Sequence, residues 1–349
     1  MKQHFLLSAK ARSLSLLEVA RMSEPEAYAA FKAVRFADNG GKPVCPSPGC
    51  GCTAVYEYRA PRKLFKCKAC EKQFTATSRT IFASRKMYYQ DILSAICIFV
   101  NGVNGVAALR LAREINCSYK TAFVMAHKLR EVFGAMATAE MLTGVVEIDG
   151  AWVGGKIKMG NIGNKGQRDR QPRNGKRRSV VSMRERGRGG RSLSFVFMDE
   201  SEALDTILKR VHPSATVVTD EGSHWNILSA YFDQAEPVNH SKEWSKRNGV
   251  HTNNVESLNS RLRRNERGVH HHISGRYLQA YATEVTWRED FRRTSNGDQF
   301  AMVLGAAAKQ PISRDWKGYW QRRGPRPPKI VRAWKPRPKT IVSDFRPRL

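Results

Sequence analysis

The chain has 349 residues, of which 41% are apolar and 26% charged, and 60 Lys plus Arg face 31 Asp plus Glu for a formal charge of +29. That length exceeds one ordinary core and predicts two or three domains, and the apolar share excludes global disorder. An excess of positive charge this large points to nucleic acid, because neutralised phosphates release counterions, and no run of about 18 apolar residues supports a membrane span.

Taken in order, residues 1–39 read as a mainly helical segment. Ser23-Glu-Pro-Glu26 has the form of a capping box, and helical apolar spacing follows it over 27–36. The opening residues are interrupted by charge too early for a secretory signal.

Residues 40–80 hold Cys45, Cys50, Cys52, Cys67 and Cys70, separated by short strand-like runs. Paired cysteines bracketing a hairpin predict a zinc ribbon in which four thiolates hold one structural Zn2+. Cys67-Lys-Ala-Cys70 is the regular half. Four residues separate Cys45 from Cys50 where two are usual, so Cys52 competes with Cys50 as the second ligand. Cys97 and Cys117 lie in helical patterns and read as packed side chains.

Residues 81–135 read as three helices over 89–100, 104–115 and 118–133. The last two, joined by a short turn, predict a helix-turn-helix module. Ser118 caps the recognition helix, and Lys120, Lys128 and Arg130 are its candidate DNA contacts.

Residues 142–295 form the main α/β unit. Strands are expected over 145–153, 179–184, 193–198 and 216–219. A helix is expected over 201–211 with Ser201 as a possible cap, and closing helices over 254–264 and 276–291. A Gly-, Asn-, Lys- and Arg-rich run at 154–178 reads as a basic loop. Residues 296–349 are assigned to a basic, proline-rich tail.

Three acids carry the chemistry. Asp149 sits inside the apolar run 145–153, where a carboxylate costs several kcal/mol to desolvate unless a cation or donor meets it. Asp220 ends the run 216–220, and Glu256 opens the helix after the polar stretch 251–255. Acids from separate elements that converge in a basic chain suggest a cage for divalent cations acting on phosphodiesters. Mg2+ or Mn2+ suits such a cage, two ions about 3.5–4 Å apart serving the attacking and leaving oxygens.

Glu-Ile-Asp149-Gly, Thr-Asp220-Glu-Gly and His251-Thr-Asn-Asn-Val-Glu256, followed by Arg263 and Tyr281-Ala-Thr-Glu-Val-Thr-Trp-Arg288, closely resemble motifs of the DDE transposases of bacterial insertion sequences that carry an N-terminal zinc ribbon (ISXO2-like). The resemblance spans about residues 40–295. It implies an RNase H-like catalytic fold with Asp149, Asp220 and Glu256 as the triad and metal ligands. It also implies a basic residue seven positions after the last acid, here Arg263 where relatives often have Lys. Seven residues are about two helical turns, so Glu256 and Arg263 share a face, and Arg261 and Arg264 add charge to the same helix. Asn253 or Asn254 is a lesser candidate for the third ligand, and Glu284 is the reserve acid. Glu147 shares a strand face with Asp149 and reads as structural.

The expected activity is cleavage of element ends at terminal inverted repeats and joining of the 3′-hydroxyl to target DNA. The alternatives are a metal-dependent nuclease without joining activity and a catalytically inactive DNA-binding protein of the same descent. Double-stranded DNA is the expected partner, with a homodimer or larger assembly on it and a cytoplasmic, nucleoid-associated location.

Overall fold

The computed structural model describes residues 4–58, 63–137, 140–154, 177–187, 189–238 and 251–321. Most of the basic loop expected at 154–178, and the tail beyond 321, lie outside the described residues.

Helix α1 (Leu16–Ala20) is followed by α2 (Glu24–Arg35). The capping box forms: Ser23 N–H donates to Glu26 Oε2 at 2.7 Å, and Glu26 N–H donates to the Ser23 hydroxyl at 3.5 Å. A three-stranded antiparallel sheet follows, made of β1 (Val55–Glu57), β2 (Phe65–Cys67) and β3 (Gln73–Phe74). Three helices come next, α3 (Tyr89–Asn101), α4 (Ala108–Glu114) and α5 (Tyr119–Met136). The Ser118 hydroxyl caps α5 by accepting Thr121 N–H at 3.2 Å. Helix α3 buries Ile92, Leu93 and every residue from Ala95 to Val100, so it is apolar around most of its girth, as a central core helix must be.

The second body is a five-stranded mixed sheet in the order β6-β5-β4-β7-β8. Its strands are β4 (Val145–Val153), β5 (Arg178–Glu185), β6 (Ser192–Phe197), β7 (Thr216–Asp220) and β8 (Gln234–Val238). The first three form an antiparallel meander, and β7 and β8 join parallel to β4. Helix α6 (Leu204–Arg210) lies between β6 and β7 and packs with Val146, Ile148, Met183 and Val217 on one sheet face. Helices α7 (Asn253–Arg264) and α8 (Leu278–Asp290) cover the other face through Leu258, Leu262 and Leu278, which meet Ala151, Val153 and Val180. A mixed sheet with flanking helices is thus present, behind an N-terminal cysteine cluster.

Four details differ from the sequence expectation. Strand β8 is not predicted by the sequence pattern. Its Glu236 and Pro237 weaken the strand signal, and both are tolerated because β8 ends the sheet order. The helix expected over 201–211 begins as a 3-10 turn, Glu200–Ala203, and its cap is Asp199 rather than Ser201. The 3-10 segment Ser223–Ala230 fills the β7–β8 crossover.

The fourth concerns the tail assigned to 296–349, which does not begin at 296. Residues Asn296–Lys309 form helix α9, capped by Ser295, and bury Val303, Leu304, Ala307 and Ala308. Apolar spacing there outweighs the prolines, which crowd only later. Helix α9 shares one core with Phe31 of α2, Phe65 of the small sheet, Phe99 of α3 and Phe133 of α5.

Candidate active site

Asp149 lies on β4 and Asp220 ends β7. The parallel pairing runs from Val145↔Thr216 to Ile148↔Thr219, which makes Asp149 and Asp220 the next residues along two adjacent strands. Side-chain alternation puts both on the face that carries Glu147 and Val218, with a strand spacing of about 4.8 Å.

Helix α7 is fixed over that face by Glu147. This carboxylate is fully buried, and its Oε2 accepts the N–H groups of Asn254 at 2.9 Å and Val255 at 3.0 Å, while Oε1 accepts the Asn254 side-chain amide at 2.8 Å. Arg186 Nε adds a charge-assisted bond to Oε1 at 2.6 Å, and His251 Nδ1 lies 3.4 Å away. A buried carboxylate thereby supplies acceptors to the first turn of the helix that bears Glu256. Asn253 and Asn254, the lesser ligand candidates, are exposed, and Asn254 is occupied by its bond to Glu147.

Two turns of α7 then face Asp149. Asn259 Nδ2 donates to Asp149 Oδ2 at 2.8 Å, and the Ser182 hydroxyl donates to Asn259 Oδ1 at 2.7 Å. The second bond orients the amide so that its donor side meets the acid. Burial pushes the Asp149 carboxyl above its ordinary range. Asn259, the Gly150 N–H and Arg263 pull it back, and the Glu256 charge pushes it further up. Glu256 and Arg263 therefore both act on Asp149. Thr252 Oγ1 donates to Glu256 Oε1 at 2.5 Å. The sequence alone does not single out Asn259, although its position three residues after Glu256 on a helix face is a usable signal.

On the opposite sheet face, Gly150 allows a close approach. A Cβ there would stand 2.4 Å from the Glu200 carboxyl carbon. Glu200 accepts the Ser179 hydroxyl at 3.1 Å and lies 3.1 Å from His224 Nε2, so an acid–imidazole pair packs directly beneath the strand.

The carboxyl oxygens of Asp149, Asp220 and Glu256 are not all within 4.8 Å of one another; among the described residues the four cysteines form the set that is. A cage for two ions is wider than the shell of one. The donor chemistry fits cations: Asp149 is partly buried, its carboxyl is raised, and the neighbouring Glu256 raises it further.

The basic candidates separate into two groups. Arg263 and Arg264 are exposed on α7, and among the described residues Arg264 bonds Ser260 of its own helix. Arg261 is paired with Glu289. Lys120 is exposed, its ammonium 5.5 Å from the Trp320 ring centre. Lys128 turns inward and donates to the Ile81 carbonyl at 2.5 Å. Arg130 requires a correction. It is 1% exposed, bonds Glu284 at 2.6 Å and stacks 4.0 Å from the Tyr281 ring centre, so it faces the core rather than DNA. Glu284, the reserve acid, is committed to Arg130 and Arg288 and lies outside the acid site.

In the small sheet, Cys45 Sγ lies 3.6 Å from Cys70 Sγ, and Cys50 Sγ lies 3.7 Å from Cys67 Sγ. All four thiol sulfurs are mutually within 4.8 Å, the reach of one tetrahedral ion. Cys52 points away, its thiol donating to the Ala54 carbonyl at 3.6 Å, which decides between Cys50 and Cys52. The Cys70 N–H draws the Cys67 thiol below the usual range, toward the thiolate a metal needs.

Residues 141–290 match the family model of the ISXO2-like transposase domain, and residues 22–73 match that of the transposase zinc-ribbon domain. No curated protein and no solved structure matches the chain.

Proposed function

We propose that this chain, with a transposase zinc-ribbon domain ahead of an ISXO2-like transposase domain, is a DNA transposase that cleaves element ends and joins the 3′-hydroxyl to target DNA. The observation that carries the reading is the register of β4 and β7. It sets Asp149 beside Asp220 on the face to which Glu147 fastens the helix of Glu256.

Asp149, Asp220 and Glu256 would hold divalent cations, Mg2+ or Mn2+. Bound there, such ions supply charge stabilisation to the attacking and leaving oxygens of an in-line displacement. The protein's own residues do the positioning. Asn259 holds the Asp149 carboxylate in one orientation, and Ser182 holds Asn259. Arg263, two turns beyond Glu256, offers charge to a neighbouring phosphate. No Ser or Tyr nucleophile is required, because water and the freed 3′-hydroxyl serve in turn.

Cys45, Cys50, Cys67 and Cys70 would hold a structural Zn2+. With Lys120 on the capped helix α5, the ribbon would engage the terminal repeats as one body, since both share a core. Joining two DNA ends calls for at least two copies on DNA. No helix among the described residues is long and apolar enough to cross a membrane, and a nucleoid location follows from the proposed substrate.

The test uses DNA carrying the repeats that flank the reading frame. Asp149→Asn and Asp220→Asn should abolish cleavage and strand transfer while repeat binding persists. Retained transfer in either variant refutes the reading. A wild-type protein that binds but neither cleaves nor joins is the inactive alternative, and one that cleaves without joining is the nuclease.

A further inference from the structure

A cavity of about 480 Å³ opens beside the C-terminal end of α7. It lies among residue 12, the loop that follows α3, the end of α7, the end of α8 and the start of α9. Among the described residues five arginines line it, Arg12, Arg261, Arg264, Arg288 and Arg292, with Glu289 as the acid beside them.

The charges there do not balance. Glu289, with a 5% exposed side chain, is shared by Arg261, by Arg184 at 3.1 Å and by Arg292 at 3.1 Å. Among the described residues Arg12, which is exposed, meets no carboxylate, and Arg264 bonds within its own helix. Several like charges gathered beside a partly enclosed space repel unless an anion joins them. A second observation points the same way to a ligand. Asn265 lines the cavity and is 4% exposed, and its Nδ2 donates to the Asn104 carbonyl at 2.6 Å. Its Oδ1 is buried and, among the described residues, has no hydrogen-bond partner. A buried acceptor left unpaired costs about 1–3 kcal/mol, which a ligand's N–H or O–H would offset.

We infer that this cavity is a phosphate-binding site whose ligand also carries a hydrogen-bond donor, as a nucleotide unit does. Guanidinium forks match phosphate oxygens in pairs, and the further oxygens of a phosphate let one anion accept from more than one arginine, which a two-oxygen carboxylate does less well. The site is separate from the acids. Arg263 acts on Asp149, and the next position, Arg264, is turned about 100° around the helix toward the cavity. The inference stands on the DNA reading only for the source of the phosphate, which is either a strand passing over α7 or a free phosphoryl compound.

The test uses the full-length protein and the double variant Arg12→Ala/Arg264→Ala. A duplex and inorganic pyrophosphate are titrated separately over a range of salt, with thermal melting as the check on folding. For a strand, duplex affinity should fall several-fold, and the log–log salt slope should become shallower by about two, roughly one for each phosphate no longer neutralised. A loss confined to pyrophosphate assigns the site to a free phosphoryl compound. Unchanged binding of both by a folded variant overturns the inference. A wild-type protein that ignores duplex DNA removes the transposase reading instead, and the pyrophosphate titration still decides this one.

Discussion

Glu147 Oε2 accepts the backbone N–H of Val255 at 3.0 Å, so the strand that presents Asp149 also grips the first turn of the helix that presents Glu256. The two acids are far apart in sequence, and this clamp sets their separation. Arg186 completes it from β5's end. Replacing Glu147 with Ala leaves two helix N–H groups without their acceptor and takes the buried carboxylate away from the half-buried Arg186. The expected loss is about 3–5 kcal/mol in urea unfolding. Glu147→Gln keeps one acceptor oxygen and should lose less. Equal stability of wild type and Glu147→Ala would contradict the clamp.

The cysteine set lies against the core, so a Zn2+ held there would be tied to folding. Cys45 and Cys67 are buried in the same cluster as Phe31, Phe133 and Trp287, and Trp287 stacks on Phe133 at 4.3 Å. A strong zinc chelator or Cys67→Ala should lower the melting temperature and change tryptophan emission together, because metal affinity and folding free energy are linked. Cys52→Ala should leave both unchanged. Loss of metal with no shift in melting would show that the ribbon is not held by the ion.

Arg130 and Lys120 lie on the same helix and should behave in opposite ways. Arg130→Ala leaves Glu284 short of a buried partner, at an expected cost of about 3–5 kcal/mol. The protein that remains folded should keep its DNA salt dependence. Lys120→Ala should leave stability within about 0.5 kcal/mol and reduce the salt slope by about one. The reverse pattern would place Arg130 at the DNA surface.

Asp290 gives a pH signature. Burial raises its carboxyl to about 6 from 3.8, against the opposing pull of Ser192 and Arg184. The folded chain then binds this proton more tightly than the unfolded chain. The group's contribution to stability is present below pH 3.8 and is lost as pH rises through 6. Asp290→Asn should remove that dependence, gaining on the order of 1–3 kcal/mol over wild type at pH 7.5 and nothing near pH 4. Urea unfolding at the two pH values reads the difference, and a constant offset between the proteins would contradict it.

Much of this is legible in the sequence because it is local. Asp149 and Asp220 fall in the middle and at the end of β-branched runs, Glu256 follows a polar stretch that opens a helix, the thiols keep near-regular spacing, and Ser23 and Ser118 cap the helices their positions suggest. What escapes depends on distant partners. Arg130 reads as one more surface cation until Glu284, which follows it by 154 residues, takes it inside. Strand β8 is polar and becomes a strand only by pairing with β7. Helix α9 is hidden by the basic composition of the residues that follow it. The choice between Cys50 and Cys52 needs the fold of the knuckle, where Gly49 and Gly51 both adopt left-handed backbone.

The most direct measurement is Mn2+ titration of the zinc-loaded protein by calorimetry, with Asp149→Asn, Asp220→Asn and Glu256→Gln beside the wild type and melting curves to confirm folding. Each single variant should weaken Mn2+ binding at least tenfold, because each removes one carboxylate from a shared set. If all three bind Mn2+ as the wild type does, the acids do not share ions, and the proposed chemistry fails.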